Sequence, residues 1–224
     1  IPLEDNFTDV LRKAQRGRKI PDKELAAQTG VKPAELAAVK AGEPIDAVLR
    51  RLARHLRLGP NALETLAHKG WYPEQPDFPR GFMMFNTPFE DMTVNSYLIW
   101  DTKTKLAAAF DTGATSEPML NEIKSAGLKL RYIFLTHTHD DHIADLPRLA
   151  TATGAEVWAS EREPVDYPGA KAFKENAHFH LGELAIKTLF TWGHSPGLTT
   201  FFVTGLSWPL AVVGSLGYIA GQYP

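Results

Sequence analysis

The chain has 224 residues, 44% hydrophobic and 10% aromatic, with a formal net charge of −2. Such a composition excludes disorder and fibrous repeats, and no apolar run approaches the roughly 18 residues needed to cross a bilayer. Cysteine is absent, which excludes disulfides, thiolate metal ligands and a cysteine nucleophile and leaves His and carboxylates to hold any metal. The charge is unevenly spread. The first 75 residues carry 13 Lys+Arg against 10 Asp+Glu, and the remainder 11 against 16. A cytoplasmic protein is expected, since the polar N-terminal residues lack a signal-type apolar segment.

Residues 1–70 have a helical period broken by helix stops. Phe7, Val10 and Leu11 form one stripe. Leu25 and Ala26 lead to Gly30, and Pro33 opens a short helix that Gly42 ends. Pro44 is expected in the first turn of a longer helix whose face is Ile45, Val48, Leu49, Leu52 and Leu56, and a fifth helix is expected from Pro60 to Lys69. Two short helices joined by a Thr-Gly turn form a helix-turn-helix arrangement. The region resembles the Cro/CI repressor DNA-binding fold, and the resemblance implies a small all-α domain with Pro33 to Lys40 as the groove-entering helix. Lys32, Glu35 and Lys40 are then the candidate DNA-binding residues. That helix is otherwise mostly Ala, a poor set for reading base edges, so a solvated bundle is the competing expectation.

Residues 71–81 hold three Pro and two Gly with Gly70 included, and form the expected linker; Trp71, Tyr72 and Phe78 favour its lying packed on a domain surface. From residue 82 the period shifts toward two. Strands are expected at 82–85, 95–100, 106–111, 132–135, 156–159, 177–180, 185–190, 199–203 and 210–213, with helices at 117–126 and 144–151. Alternating strands and helices fit a sheet covered by helices.

The segment from Arg131 to Ile143 concentrates the chemistry. An apolar strand from Tyr132 to Leu135 runs into three His and two Asp within six positions, in a chain with eight His. Neutral imidazoles bind zinc, iron or manganese well, and His137 and His139, alternating in extended chain, can turn their rings to one side. Asp141 and His142 follow. His194, in a Gly-His-Ser-Pro-Gly turn, is the natural third imidazole of a three-His site, a set that lets zinc bring the pKa of its water near 7 and supply hydroxide. Asp141 could orient the attacking water and take its proton, or join His142 at a second ion. Asp111 is expected behind the ligands, accepting a hydrogen bond from an imidazole, or else as a plain turn residue. Gly193 to Gly197 also matches G-x-S-x-G, but that nucleophile elbow needs a following helix; here the β-branched and aromatic run Leu198 to Val203 follows, so a serine hydrolase is rejected. His178 and His180 are expected to be exposed strand residues, and His55 and His68 structural.

The spacing His137-x-His139-x-Asp141-His142, with the strands Thr93 to Trp100 and Leu106 to Gly113 and the turn Thr191 to Gly197, resembles the metallo-β-lactamase superfamily and, within it, hydroxyacylglutathione hydrolase-like members. The resemblance implies an α+β, αββα sandwich over residues 82–224, incomplete at its C-terminus. It implies a hydrolase acting on an ester, thioester or related acyl substrate, with zinc as the expected ion and iron or manganese as alternatives. Two departures stand out: Ser215 occupies the place of the family's bridging Asp, and its last histidine ligand falls beyond Pro224. One firmly held ion is therefore expected. The alternatives are a transcriptional regulator with a sensing, non-catalytic domain, and a mononuclear iron enzyme of the sulfur-dioxygenase type. Expected partners are a small acyl molecule, DNA through the helical region and further copies of the chain, with no membrane.

Overall fold

The computed structural model describes residues 5–70, 77–90 and 92–214. They form two compact units, 5–70 and 77–214. No described helix is long and apolar enough to cross a membrane.

Residues 5–70 form five helices: α1 (Phe7–Gly17), α2 (Asp22–Thr29), α3 (Pro33–Lys40), α4 (Asp46–Leu56) and α5 (Pro60–Ala67). Asn6 starts α1 by accepting the amides of Thr8 and Asp9, while the Asp9 carboxylate accepts the Asn6 amide, a reciprocal cap that satisfies otherwise orphaned donors. Gly30 ends α2 in the left-handed region, φ 65°. Helix α4 begins two residues later than expected from Pro44, because Ile45 is extended and Asp46 provides the first-turn negative charge. Its apolar face, Val48, Leu49, Leu52 and Leu56, is the centre of a core that also takes in Phe7, Leu11, Leu25, Leu36, Val39 and Leu63.

The second unit stacks three layers. Its larger sheet runs β1-β2-β3-β4-β5-β6, with β1 (Phe82–Phe89), β2 (Met92–Trp100), β3 (Leu106–Phe110), β4 (Lys129–Phe134), β5 (Glu156–Ser160) and β6 (Lys171–Phe173). The first three strands are antiparallel, and β3 to β6 are parallel. Helix α6 (Glu117–Ser125) connects β3 to β4. The four-residue α7 (Asp140–Ile143) and α8 (Leu146–Thr153) lie between β4 and β5. Met119 and Ile123 of α6 and Leu146, Leu149 and Ala150 of α8 bury against one face of this sheet, on Ala107, Ala109 and Ile133. The smaller sheet, β10-β9-β8-β7, comprises β7 (His178–Leu181), β8 (Leu184–Phe190), β9 (Thr199–Thr204) and β10 (Leu210–Val212). Ile186, Phe201 and Val203 from this sheet meet Phe110, Phe134 and Phe173 from the larger one. The layers are thus helix, sheet, sheet; no helix beyond residue 153 occurs among the described residues.

Two elements escaped the periodicity. Strand β6 has only three residues at a sheet edge, too few to show alternation, and α7 is a single turn built from the polar cluster itself. Of the linker, residues 71–76 lie outside the described residues; Phe78, half exposed, sets its ring 5.0 Å from that of Phe82.

Phe134 is fully buried between the sheets, with ring centroids 5.5 Å from Phe110, 5.1 Å from Phe201 and 4.8 Å from Phe179. Phe134→Ala opens a cavity at the sheet interface, and urea unfolding of the variant is expected to show a loss of about 3–5 kcal/mol.

Candidate metal centre

The polar cluster lies at the carboxyl ends of two adjacent parallel strands, where the backbone leaves the sheet and open α/β sheets place their ligands. Strand β3 ends at Phe110 and delivers Asp111; β4 ends at Phe134 and delivers Thr136, His137 and His139. Asp111 is fully buried, and its φ of 57° lies in the left-handed region that non-glycine residues seldom occupy. That turn aims the carboxylate at β4 and α7. Its oxygens accept the Thr136 amide at 2.7 Å, the Thr136 hydroxyl at 2.6 Å and His142 Nδ1 at 2.7 Å. The expected alternatives for Asp111 are thereby separated: it binds an imidazole from behind.

These bonds determine which ring nitrogens are left for an ion. The single hydroxyl proton of Thr136 goes to Asp111, so Thr136 Oγ1 can only accept from His137 Nδ1, 3.0 Å away. His137 therefore carries its proton on Nδ1, and its Nε2 keeps a lone pair. That Nε2 is buried with no hydrogen-bond partner among the described residues. His142 donates from Nδ1 to Asp111 in the same way, which turns its Nε2 outward, 3.4 Å from Asp141 Oδ2. Burial first, then the neighbouring imidazole of His142, pushes the His137 pKa down to about 3, against the opposing pull of Asp111. His137 is thus neutral at ordinary pH, the form a metal requires.

His139, the residue before α7, and His194, from the loop between β8 and β9, complete the cluster. His137, His139 and His194 each bring a ring nitrogen within 4.8 Å of the others, and His194 Nε2 lies 3.0 Å from His139 Nδ1. A buried lone pair with no partner, converging with two further imidazoles, is a donor set that suits zinc and related divalent ions. The donor set therefore fits a metal. A second convergence, Asp111, His137 and His142, is instead a hydrogen-bonded hub, because Thr136 and His142 already occupy the Asp111 oxygens. Asp141 is mostly buried and lies beside His142, outside both three-residue groups.

The remaining sequence candidates are placed as follows. His178 and His180 are exposed on β7 and belong to neither three-residue group. His68 Nε2 pairs with Asp46 at 2.7 Å. Ser195 is followed by β9 and donates to Glu163 rather than to a histidine. Ser215 lies outside the described residues. In the helical unit, Glu35 accepts the Lys32 amide at the start of α3, and the Lys40 ammonium binds Asp22 at 2.7 Å and Gln15 at 3.1 Å.

Two acidic residues were missed from sequence. Asp145 accepts both the amide and hydroxyl of Ser116 at 2.7 Å, fixing the loop after β3 to the start of α8. Glu163 accepts the amide and hydroxyl of Thr138 at 3.0 and 3.1 Å, the Ser195 hydroxyl at 2.5 Å and the Gly197 amide at 2.7 Å. Burial raises its pKa, but the bonds from Ser195, Thr138 and Gly197 outweigh this and hold the carboxyl below its usual range.

The family model described as the metallo-beta-lactamase superfamily matches residues 90–222. Similar curated proteins include a hydroxyacylglutathione hydrolase of Rhodobacter capsulatus, 31% identical over 125 residues, covering 53% of this chain and 47% of the relative. A metal-dependent hydrolase of Ligilactobacillus salivarius is 32% identical over 119 residues, covering 50% and 52%. The chain spans about half the length of the curated relatives it matches. Among solved structures, a Staphylococcus aureus metallo-beta-lactamase has a TM-score of 0.49 at 20% identity over 58% of this chain and 40% of its own. ETHE1 from Myxococcus xanthus has a TM-score of 0.47 at 23% identity over 54% and 53%.

The depressed His137 pKa has a stability consequence. Between pH 6.5 and about 3 the unfolded chain binds a proton at this residue that the folded metal-free protein does not, so its contribution is present at neutral pH and lost as pH falls through that window, by up to about 1.4 kcal/mol per pH unit. Urea unfolding of metal-free protein at several pH values is expected to show a shallower acid loss for His137→Asn than for the parent chain; equal slopes would show that His137 is not buried as a neutral ring.

Proposed function

The chain belongs to the metallo-beta-lactamase superfamily, and from that premise we propose that residues 77–214 carry the centre of a metal-dependent hydrolase acting on an ester, thioester or related acyl substrate. The carrying observation is the buried lone pair of His137 Nε2, without a partner among the described residues, converging with His139 and His194. The acyl class rests on similarity to hydroxyacylglutathione hydrolases.

In this reading His137, His139 and His194 hold the ion through neutral ring nitrogens. When bound, a zinc-type ion supplies Lewis acidity and brings the pKa of a water near 7. Asp141 orients the attacking water and receives its proton, its mostly buried carboxylate lying 3.4 Å from His142 Nε2. Asp111 fixes the rings of His137, through Thr136, and of His142 directly. A second ion would draw on Asp141 and His142 alone among the described residues, and two protein ligands hold a divalent ion weakly. One firmly bound ion per chain is the number this reading proposes.

For the helical unit we propose contact with nucleic-acid phosphates without strong sequence preference. The supporting observation is a concavity of about 470 Å³ lined by Arg12, Arg16, Lys19 and Lys40, of which Lys40 is paired with Asp22, while the Glu35 carboxylate is taken up by the Lys32 amide at the start of α3. Polarisation titrations with labelled duplexes are expected to show weak binding that falls steeply between about 50 and 200 mM salt; a strong preference for one sequence, or no binding at low salt, would remove this reading.

Elemental analysis of protein purified without added metal is expected to give one ion per chain and to identify it as zinc, iron or manganese. His139→Ala should lose that ion and drop thioester hydrolysis by more than about 100-fold, beyond the range typical for residues that merely support a ligand. Metal-free parent protein that still hydrolyses thioesters would contradict the reading.

A further inference from the structure

We propose that Glu163 is a positioning residue that sets metal affinity by fastening the two ligand-bearing loops to each other, an inference that rests on the three-histidine reading above.

The three imidazoles come from two separate stretches of chain: His137 and His139 from the loop after β4, and His194 from the loop between β8 and β9. Those stretches belong to different sheets. The contact between His139 Nδ1 and His194 Nε2 joins them through the ligands themselves, and that bond must break when both nitrogens turn to an ion. One backbone bond, from the Thr199 amide to the Thr136 carbonyl at 2.9 Å, also crosses between them, and a link nearer the ligands is needed to hold both loops in register.

Glu163 supplies that link from one carboxylate. Oε1 accepts the amide and hydroxyl of Thr138, the residue between His137 and His139. Oε2 accepts the hydroxyl of Ser195, which adjoins His194, and the amide of Gly197. Each oxygen therefore serves one loop. Both sets of bonds engage atoms next to the ligands and none of the ligand nitrogens, so they persist whether or not the rings bind metal. Bonds from neutral donors to a charged carboxylate are stronger than those between neutral pairs.

Two further features keep the carboxylate in place. The Glu163 amide donates to the Ser160 carbonyl at 3.0 Å, and the Ser160 hydroxyl accepts the Arg162 amide at 3.2 Å, so the turn after β5 is closed on itself. Position 197 admits only glycine: a Cβ there would overlap that of Glu163 and lie 3.0 Å from the Glu163 amide nitrogen. The loop bearing His194 is thus in backbone contact with Glu163, and no side chain intervenes.

The chemistry also separates two substitutions. Ala removes all four bonds. Gln keeps a carbonyl oxygen for Thr138, and the Ser195 hydroxyl can turn to accept from the new amide, but the Gly197 amide then faces another donor and loses its partner. Glu163→Gln should therefore fall between the parent and Glu163→Ala.

The test measures zinc affinity by competition with a chromophoric chelator, the visible spectrum of the cobalt-substituted protein, and the melting temperature of each metal-free protein. Glu163→Ala is expected to raise the zinc Kd by about 10- to 100-fold and to weaken or shift the cobalt bands, with Glu163→Gln intermediate. Gly197→Ala, which displaces the carboxylate from the other side, should reproduce the effect. The melting temperatures gauge general damage, which by itself would not alter the cobalt spectrum of the folded fraction. Zinc affinity and cobalt bands equal to the parent's in both Glu163 variants would overturn the proposal while leaving the metal centre standing. A parent protein that binds neither ion would overturn the metal reading, and this inference with it.

Discussion

The buried carboxylate of Asp111 is the constraint on which the site depends. A charge removed from water must be fully hydrogen-bonded or it costs several kcal/mol, and Asp111 meets this condition with three donors: the Thr136 amide, the Thr136 hydroxyl and His142 Nδ1. Because a carboxylate only accepts, each donor's proton is committed. The consequence propagates from Thr136 to His137, which carries its proton on Nδ1 and keeps a lone pair on Nε2, and directly to His142, whose ring is held by its Nδ1. The left-handed backbone of Asp111 belongs to the same account. It reverses the chain just after β3 so that a strand-end carboxylate reaches across to β4, and strain of this kind is kept where the surroundings over-determine it.

Around that hub the fold supplies rigidity. The strands that deliver Asp111 and His137 are neighbours in a parallel sheet, covered by α6 and α8 on one face and by the second sheet on the other. Ala107, Ala108 and Ala109 keep β3 slim, while Phe110, Phe134 and Phe201 fill the space between the sheets. Gly214 closes the region from β10: a Cβ at this position would collide with Thr136 and come within 3.1 Å of His137 Nδ1. The backbone after β10 therefore passes directly against the bond that orients His137.

Much of this was legible in the sequence because the ligands are local. Four of the five expected metal residues fall between positions 137 and 142, and an apolar strand stopping at a run of imidazoles needs no tertiary knowledge to be noticed. The parallel core was visible for the same reason, since β3 and β4 are apolar runs with clear ends. What the sequence hid depends on separation. Glu163 has partners 25, 32 and 34 residues away, and a single Glu in a polar loop has no period or spacing to mark it. Asp145 binds Ser116 across 29 residues and is equally anonymous. The Asp111 role was half visible: its position after a strand suggested a site, but only the left-handed turn separates a supporting carboxylate from a solvated one. Short elements were lost for a different reason, since β6 and α7 hold three and four residues and cannot display a period.

The arrangement of the imidazoles also argues against their being a core that merely tolerates polar residues. His137 lies with its ring centroid 4.0 Å from His142, 4.5 Å from His139 and 4.9 Å from His194. Burial first, and then the neighbouring imidazole of His142, disfavours protonation of His137. A stability-driven core would fill such a position with an aliphatic side chain, because leaving a buried acceptor unmatched costs about 1–3 kcal/mol. Here the chain instead spends two buried groups, Asp111 and Thr136, on holding that acceptor in one tautomer and one orientation. An orienting network that ends in a lone pair unmatched among the described residues fits the metal-holding reading proposed above. Glu163 extends the same logic to the loop level, since it aligns backbones next to the ligands while leaving the ligand nitrogens untouched.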